Sequence, residues 1–248
     1  MQTLLPVLVT VVAYLLGSLS FAVLVSKAMG LNDPRTYGSK NPGATNVLRS
    51  GSKKAAIATL LLDAVKGWLP VVAVAWWGEP YGLGEGTVAA VGLAAFLGHL
   101  FPIFFRFEGG KGVATAAGVI IGFSPWLGLA SLATWLIIAY FFRYSSLASI
   151  VTAVFAPVYF LLGDKVAWHA PNGQVLVLGL MAVLLIWRHA ENINRLLAGK
   201  ESKLGSKKSG DAHPEAHAAP EHAGHAGHPH SAKPRKHGKS GKAGKSSR

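Results

Sequence analysis

The sequence has no cysteine and few charged residues, which make up 14 % of its 248 residues. Without cysteine, disulfides, a thiolate nucleophile and Cys-ligated metal sites are excluded. A soluble domain carries roughly 25 % charged residues, whereas 51 % of this chain is hydrophobic and its mean hydropathy is +0.37. The shortage of charge therefore indicates an integral membrane protein.

Common catalytic motifs are also missing. There is no Gly-x-Ser-x-Gly nucleophile elbow, and neither His99 nor His189 begins a His-x-x-x-x-Asp motif. The apolar part of the chain has no cluster of His, Asp and Glu with metal-ligand spacing, so we expect no metal and no cofactor. These absences favour a reaction whose donor is already activated.

Seven apolar runs follow one another along residues 1–200. They are Leu4–Val25, Ala55–Trp77, Thr87–Phe105, Val113–Phe123, Trp126–Phe142, Leu147–Leu162 and Val175–Trp187. A helix needs about 20 residues to cross the roughly 30 Å hydrocarbon layer. Val113–Phe123 is short, so it either stops at Pro125 as a half-helix or is extended by Gly109–Gly112. The sequence predicts an all-α integral membrane protein, a bundle of seven transmembrane helices.

Charge divides the connections between these runs into two alternating sets. The basic set carries Lys27, Arg35, Lys40, Arg49, Lys53, Lys54, Arg106, Lys111, Arg143, Arg188 and Arg195. The other set carries mainly acidic residues, Glu79, Glu85 and Asp164. By the positive-inside rule the N-terminus is outside and the C-terminus is cytoplasmic. This assignment requires Val113–Phe123 to span, because otherwise the later basic loops would lie outside.

We divide the chain into a seven-span membrane domain, residues 1–200, and a cytoplasmic tail, residues 201–248. The tail is rich in His and Lys and has too few large apolar residues to form a core, which predicts disorder. Its charge suits a solvated segment near anionic lipid headgroups. The alternative is weak metal binding by its His residues, which have no fixed ligand spacing. We expect no specific nucleic-acid partner.

The first polar segment, Gly38–Arg49, has the residue types that bind an anion. Its glycines and Pro42 allow a tight backbone with exposed N–H groups, and Arg49 offers a planar fork for two phosphate oxygens. The candidate binding residues are Ser39, Asn41, Gly43, Thr45, Asn46 and Arg49. The alternative is an ordinary membrane loop made of turn residues.

The second polar segment is a Gly109-Gly110-Lys111-Gly112 turn directly before an apolar run. Free backbone amides at a helix start, together with an ammonium, form an anion site. The glycine spacing and the residue after Lys111 do not match a nucleotide P-loop. A flexible loop whose lysine snorkels to the interface would have a similar sequence.

The third polar segment, Arg188–Ile193, follows the last apolar run. His189 and Asn192 are three residues apart and share a helix face. Together they can bind a hydroxyl or position a reactive oxygen. The alternative is a structural histidine at the membrane interface.

Polar residues also lie inside the apolar runs. Asp63 and Lys66, three residues apart, are predicted to form an internal pair, and His99 lies in the third run. Ser149, near the start of the sixth run, contributes either to hydrogen bonding between helices or to substrate contact.

In order and spacing, Ser39–Arg49, the Gly109–Gly112 turn and Arg188–Ile193 together resemble the bacterial acyl-phosphate:glycerol-3-phosphate acyltransferase (PlsY) family. The resemblance covers residues 1–200. It implies a seven-helix bundle in the bacterial cytoplasmic (inner) membrane, with the active site at the cytoplasmic face. The implied reaction transfers a fatty acyl group from acyl phosphate to the sn-1 hydroxyl of glycerol 3-phosphate and gives lysophosphatidic acid and phosphate.

The resemblance also implies roles for individual residues. It assigns glycerol 3-phosphate and catalysis to Ser39, Arg49, Lys111, His189 and Asn192, with Ser149 as a further contact. Asn41 and the glycine turn would hold the acyl phosphate, and His189 either acts as a base or only orients the hydroxyl. The implied partners are long-chain acyl phosphate, membrane lipids and, by functional coupling, an enzyme that produces acyl phosphate.

Two other functions fit parts of the sequence. A transporter for a small phosphorylated anion also has short helices with glycine-rich ends, but no inverted repeat relates the two halves and the polar segments crowd one face. A non-enzymatic membrane anchor whose tail recruits nucleic acid or lipid leaves the three polar segments unexplained.

Overall fold

The computed structural model describes residues 4–205, and this part of the chain contains ten α-helices and no strand. They are α1 (Leu4–Gly17), α2 (Phe21–Ala28), α3 (Ala44–Val47), α4 (Lys53–Trp77), α5 (Glu85–Leu100), α6 (Val113–Phe123), α7 (Pro125–Phe142), α8 (Ser145–Leu162), α9 (Asn172–Arg188) and α10 (Ala190–Leu197). The all-helical fold expected from the apolar runs is confirmed.

Not every helix is long enough to cross a membrane alone. Four are long and apolar enough: α4, α5 with the turn that follows it to Phe105, α7 and α8. The pairs α1–α2 and α9–α10 reach that length only together, and they are bent by 46° and 57°. The described residues therefore contain four candidate spans, or six if each bent pair is one span.

The seventh predicted span, α6, has 11 residues. Its length of about 16 Å is roughly half the thickness of the hydrocarbon layer. The count of seven spans and the orientation of the two termini therefore stay predictions.

The outer surface of the bundle is apolar. On α7, for example, Leu129, Leu136 and Tyr140 are 57 %, 53 % and 79 % exposed. A continuous apolar surface of this kind is unfavourable in water. It is the surface that a membrane protein presents to lipid.

α6 lies directly against α4 because both helices carry glycine at the contact. A methyl group on Gly118 would overlap the Ala64 carbonyl oxygen, and one on Gly67 would overlap that of Thr115. Small residues let helix backbones approach closely and are common at helix contacts in membranes. This contact fixes the start of α6, and with it the glycine turn that precedes the helix.

A group of ionisable residues is buried between α4, α5 and the first bent pair; we call Asp63, Lys66 and His99 the membrane cluster. Lys66 Nζ lies 2.8 Å from Asp63 Oδ1, and both side chains are 3 % exposed. The predicted internal pair is confirmed. Lys66 also donates to the Leu19 carbonyl at 2.7 Å, in the break between α1 and α2, and His99 Nδ1 lies 3.7 Å from Asp63 Oδ1.

The packed part of the chain continues past the predicted tail boundary at residue 201. The Leu204 N–H donates to the Arg143 carbonyl oxygen at 2.6 Å, and the Glu201 carboxylate accepts from Ser146 Oγ at 2.7 Å. These bonds hold residues 201–205 against the start of α8. The rest of the predicted tail, residues 206–248, lies outside the described residues, as do residues 1–3.

Candidate active site

The three polar segments meet at one end of the bundle. Gly110 is adjacent to the first segment, since a methyl group on it would lie 2.9 Å from the Pro42 carbonyl oxygen. From the third segment, Arg188 donates through Nε to the Gly110 oxygen at 3.1 Å and through Nη2 to the Gly109 oxygen at 2.6 Å. The fold thus brings together the segments that the sequence analysis singled out.

Glycines in the second segment let the turn pack against the end of α5. Methyl groups on Gly109 and Gly110 would overlap the His99 carbonyl oxygen and ring, respectively, and Gly112 has φ +83° and faces the Phe96 ring. The Gly110 N–H donates to the His99 oxygen at 3.2 Å. This amide is therefore not one of the free donors expected from the sequence. The glycines serve the packing that fixes the lysine between them.

Asn46 organises the first segment from the inside. Its buried Oδ1 accepts from the Ser39 N–H at 3.1 Å and from Arg49 Nη1 at 3.3 Å. Its Nδ2 donates to the carbonyl oxygens of Pro34 at 2.6 Å and Tyr37 at 3.2 Å. Two acceptor sites and two hydrogens are then in use, which is the full capacity of an amide. Asn46 therefore has a structural role in this segment, and its predicted substrate contact stays a prediction.

The other candidates of the first segment stay accessible. Ser39, Thr45 and Arg49 are exposed, and Asn41 and Gly43 are half-buried. The Arg49 guanidinium has five N–H groups, of which Nη1 supplies one to Asn46. Arg49 is therefore tethered to the loop and still presents N–H groups to an anion.

His189 occupies the bend between α9 and α10. Its side chain is buried, and Nδ1 lies 2.8 Å from the Leu185 carbonyl oxygen. A carbonyl oxygen only accepts, so Nδ1 carries the hydrogen and the neutral ring keeps a lone pair on Nε2. His189 can therefore accept a hydrogen bond or a proton from a hydroxyl group.

Lys111 and Asn192 connect the second and third segments, because the Lys111 ammonium donates to Asn192 Oδ1. Asn192 is buried and follows His189 by three residues. Burial lowers the pKa of Lys111 to about 8. A partly buried ammonium attracts an anion more strongly than one in bulk water, because the surrounding medium screens it less.

A carboxylate that the sequence analysis assigned to the tail belongs to the same site. Glu201 Oε1 accepts from Asn192 Nδ2 at 2.6 Å and from Ser146 Oγ at 2.7 Å, and Oε2 accepts from Arg195 Nε at 2.7 Å. Burial opposes ionisation, but these hydrogen bonds outweigh it and hold the pKa of Glu201 below its usual value. The signal in the sequence was weak: Glu201 is the single acidic residue between Arg195 and Lys208.

Ser149 bonds to a neighbouring helix. Its Oγ donates to the Ser145 carbonyl oxygen at 2.8 Å and accepts from Trp135 Nε1 at 3.1 Å. The hydrogen bond between helices expected for Ser149 is therefore observed, and its substrate contact stays a prediction. Ser146, on the same turn, donates to Glu201.

The arrangement is suited to joining two anionic substrates. The guanidinium of Arg49 and the ammonium of Lys111 are cations that can bind phosphate, and the neutral His189 ring can accept a hydrogen bond from a hydroxyl group. Within residues 4–205, His, Asp and Glu side chains form no group of three with the arrangement of a metal site.

Known proteins share this sequence and fold. Residues 7–199 match the family described as glycerol-3-phosphate acyltransferase. The chain therefore belongs to the glycerol-3-phosphate acyltransferase family. The family member from Albidiferax ferrireducens is 67 % identical over 207 residues, which cover 84 % of this chain and 92 % of the relative. The one from Ralstonia pickettii is 63 % identical over 207 residues and covers 82 % and 98 %.

Two crystal structures of PlsY (YgiH), an integral membrane glycerol 3-phosphate acyltransferase, have the same fold. The glycerol 3-phosphate form has a TM-score of 0.74 and 39 % identity, covering 81 % of this chain and 96 % of that chain. The lysophosphatidic acid form has a TM-score of 0.72 and 38 % identity, covering 81 % and 95 %. The resemblance to the PlsY family is confirmed, and the chain is an integral membrane acyltransferase.

Proposed function

We propose that this acyltransferase moves a fatty acyl group from acyl phosphate to the sn-1 hydroxyl of glycerol 3-phosphate, giving lysophosphatidic acid and phosphate. The main support is the hydrogen bond between Lys111 and Asn192, three residues from His189. This bond brings the Lys111 ammonium, which can bind an anion, to the segment in which the His189 ring can accept a hydrogen bond from a hydroxyl group. PlsY has been crystallised in a glycerol 3-phosphate form and a lysophosphatidic acid form, which correspond to the acceptor and the product proposed here.

In this proposal the acceptor is held at both of its ends. Arg49 and Lys111 bind the phosphate of glycerol 3-phosphate, and Ser39, exposed in the same segment as Arg49, adds a hydroxyl donor. His189 Nε2 accepts a hydrogen bond from the sn-1 hydroxyl, and Asn192 lies beside it. The hydroxyl oxygen is then aimed at the donor before the reaction begins.

The donor is an acyl phosphate bound by Asn41 and the Gly109–Gly112 turn. An acyl phosphate is a mixed anhydride, so its phosphate leaves readily. The sn-1 oxygen attacks the acyl carbon, the new ester C–O bond forms and the bond between the acyl carbon and the phosphate oxygen breaks. The hydroxyl proton leaves with the released phosphate. Direct transfer of this kind needs no acyl-enzyme, in agreement with the missing nucleophile elbow.

We assign the site to the cytoplasmic face of a bacterial inner membrane. The basic loops that carry the three polar segments support this orientation. A site there receives glycerol 3-phosphate from the cytoplasm. Long-chain acyl phosphate arrives through functional coupling to the enzyme that produces it, and the product stays among membrane lipids.

The test is turnover by the purified protein in detergent. With glycerol 3-phosphate and palmitoyl phosphate we expect lysophosphatidic acid and phosphate in equal amounts, unaffected by a chelator. Palmitoyl-CoA in place of palmitoyl phosphate should give no product. Equal rates with the two donors, or loss of activity on chelation, would contradict direct transfer from acyl phosphate.

A further inference from the structure

The Glu201 carboxylate has no part in the function proposed above, although it bonds to a residue of the site. It lies on the segment Lys200–Gly205, which returns from α10 to the start of α8; we call this segment the C-terminal strap. The Leu204 N–H donates to the Arg143 oxygen at 2.6 Å, and Arg143 Nη2 donates to the Leu204 oxygen at 2.9 Å. The C-terminal strap is therefore held at both ends, by its connection to α10 before Glu201 and by the bonds between Leu204 and Arg143 after it.

Three donors from two helices converge on this carboxylate. They are Ser146 Oγ on α8, Asn192 Nδ2 and Arg195 Nε on α10, all within 2.7 Å of a Glu201 oxygen. The Glu201 side chain is 9 % exposed. A carboxylate with this many charged or buried donors is held in one position, because each alternative position leaves a donor without a partner.

The hydrogen bonds of Asn192 determine which way its amide faces. The two ends of an Asn amide have the same shape, and they are distinguished only by their partners. An ammonium only donates and an ionised carboxylate only accepts. With Lys111 at Oδ1 and Glu201 at Nδ2, both ends are fixed, and the amide cannot turn over without placing like groups together.

We propose that Glu201 is a positioning residue for the acyl transfer: it holds the Asn192 amide so that Oδ1 directs the Lys111 ammonium toward the anionic substrate. This inference rests on the function proposed above. An ammonium has three N–H donors. The donor bound to Asn192 sets the direction of the other two, which then meet the substrate phosphate.

A competing role for the same carboxylate is to occupy the anion site itself. Among the described residues, the ion pair of Glu201 is with Arg195 and not with Lys111 or Arg49, the two cations assigned to phosphate. A substrate phosphate can therefore bind without displacing Glu201. Positioning is the role that these contacts favour, and displacement becomes an outcome of the test.

The test compares Glu201→Gln with the unmutated protein in acyltransfer kinetics and in calorimetric binding of glycerol 3-phosphate. Glutamine keeps the shape but offers one acceptor oxygen to three donors. We expect kcat/KM to fall roughly tenfold to hundredfold, as for one lost charged hydrogen bond, with weaker binding of glycerol 3-phosphate. Glu201→Asp, which keeps the charge, should recover part of the loss. Glu79→Gln makes the same change in an exposed residue just after the end of α4, and its kinetics and binding should be unchanged.

Non-additivity separates positioning from a general structural role. In an Asn192→Ala background, Glu201→Gln should have little further effect on kcat/KM, because the residue through which it acts is gone. Full additivity, or a fall that follows a lower melting temperature, would overturn the proposal. A lower KM with kcat unchanged would also overturn it, since the carboxylate would then compete with the substrate.

The two proposals fail in different ways. If the unmutated protein binds glycerol 3-phosphate but does not turn over acyl phosphate, the proposed reaction is wrong. The calorimetric comparison then decides the role of Glu201 by itself: weaker binding by Glu201→Gln supports positioning, and unchanged binding overturns it.

Discussion

The two least exposed lysines of the described residues, Lys66 and Lys111, have different partners. In the membrane cluster, Lys66 is paired with Asp63 at 2.8 Å, and both side chains are almost fully buried. In the site, Lys111 bonds instead to the neutral amide of Asn192. A lysine whose charge is cancelled by a carboxylate holds helices together, whereas one bonded to an amide keeps its attraction for an anion. Its partner, more than its burial, indicates which task a lysine performs.

Breaking the membrane cluster should give the largest effect. Asp63→Ala leaves Lys66 buried without its counter-charge, and breaking a buried pair costs about 3–5 kcal/mol of stability. We expect a clearly lower melting temperature in detergent. The control is the double variant Asp63→Leu with Lys66→Leu, which removes both charges and should recover most of the stability. A normal melting curve for Asp63→Ala would contradict the structural role assigned to the pair of Asp63 and Lys66.

Removing the charge from the site should act on activity instead. Lys111→Met keeps the length of the side chain, and loss of one such electrostatic contact to the reacting groups lowers kcat about 10²–10³-fold, or about 2.7–4 kcal/mol. The melting temperature should stay close to that of the unmutated protein. The measurement is acyltransfer kinetics beside a melting curve in the same detergent. A large stability loss with residual activity intact would mean that Lys111 is a second structural lysine.

A smaller effect is expected where charge is kept and geometry is lost. Arg49→Lys replaces a guanidinium that can bind two phosphate oxygens by an ammonium that acts as a point charge. Loss of one charged hydrogen bond costs about 1.5–3 kcal/mol. We therefore expect kcat/KM to fall roughly tenfold to hundredfold. Arg106→Lys, an exposed arginine outside the site, is the matched control and should be unchanged. Normal kinetics for Arg49→Lys would show that Arg49 supplies only charge.

The mildest test uses pH. Because burial lowers the pKa of Lys111 to about 8, the charged form is complete well below that value and is lost as the pH rises through it. We therefore expect kcat/KM for glycerol 3-phosphate to fall above about pH 8 in a pH–rate profile. Lys111→Arg, less active but charged throughout, should not show this fall. The same alkaline fall in Lys111→Arg would assign the titration to another group.

Much of this architecture could be predicted from the sequence, because its signals are local. Apolar runs gave the helices, and the spacing of Asp63 and Lys66 gave their pair. The glycine turn and the other two polar segments were identified by composition alone, and the fold brings them together. Each of these features is formed by residues that are close together in the sequence.

What could not be predicted depends on which neighbour each side chain meets. The first segment is full of amides and hydroxyls, and nothing in their order marks Asn46 as the buried one. Ser146 and Ser149 are three apart on one helix face, so their sequence positions do not show which contacts α7 and which contacts the site. Glu201 was assigned to the tail because its surroundings have the composition of a solvated segment.

The ion pair of α4 also bears on how this chain enters the bilayer during synthesis. A single Asp or Lys at the centre of an inserting helix is unfavourable by about 2.5–3.5 kcal/mol. Asp63 and Lys66 are three residues apart on the same helix, so their charges neutralise each other as soon as α4 forms. This neutralisation does not require His99, which lies later in the chain, on α5. The bond from Lys66 to Leu19 then joins α4 to a segment that was inserted before it.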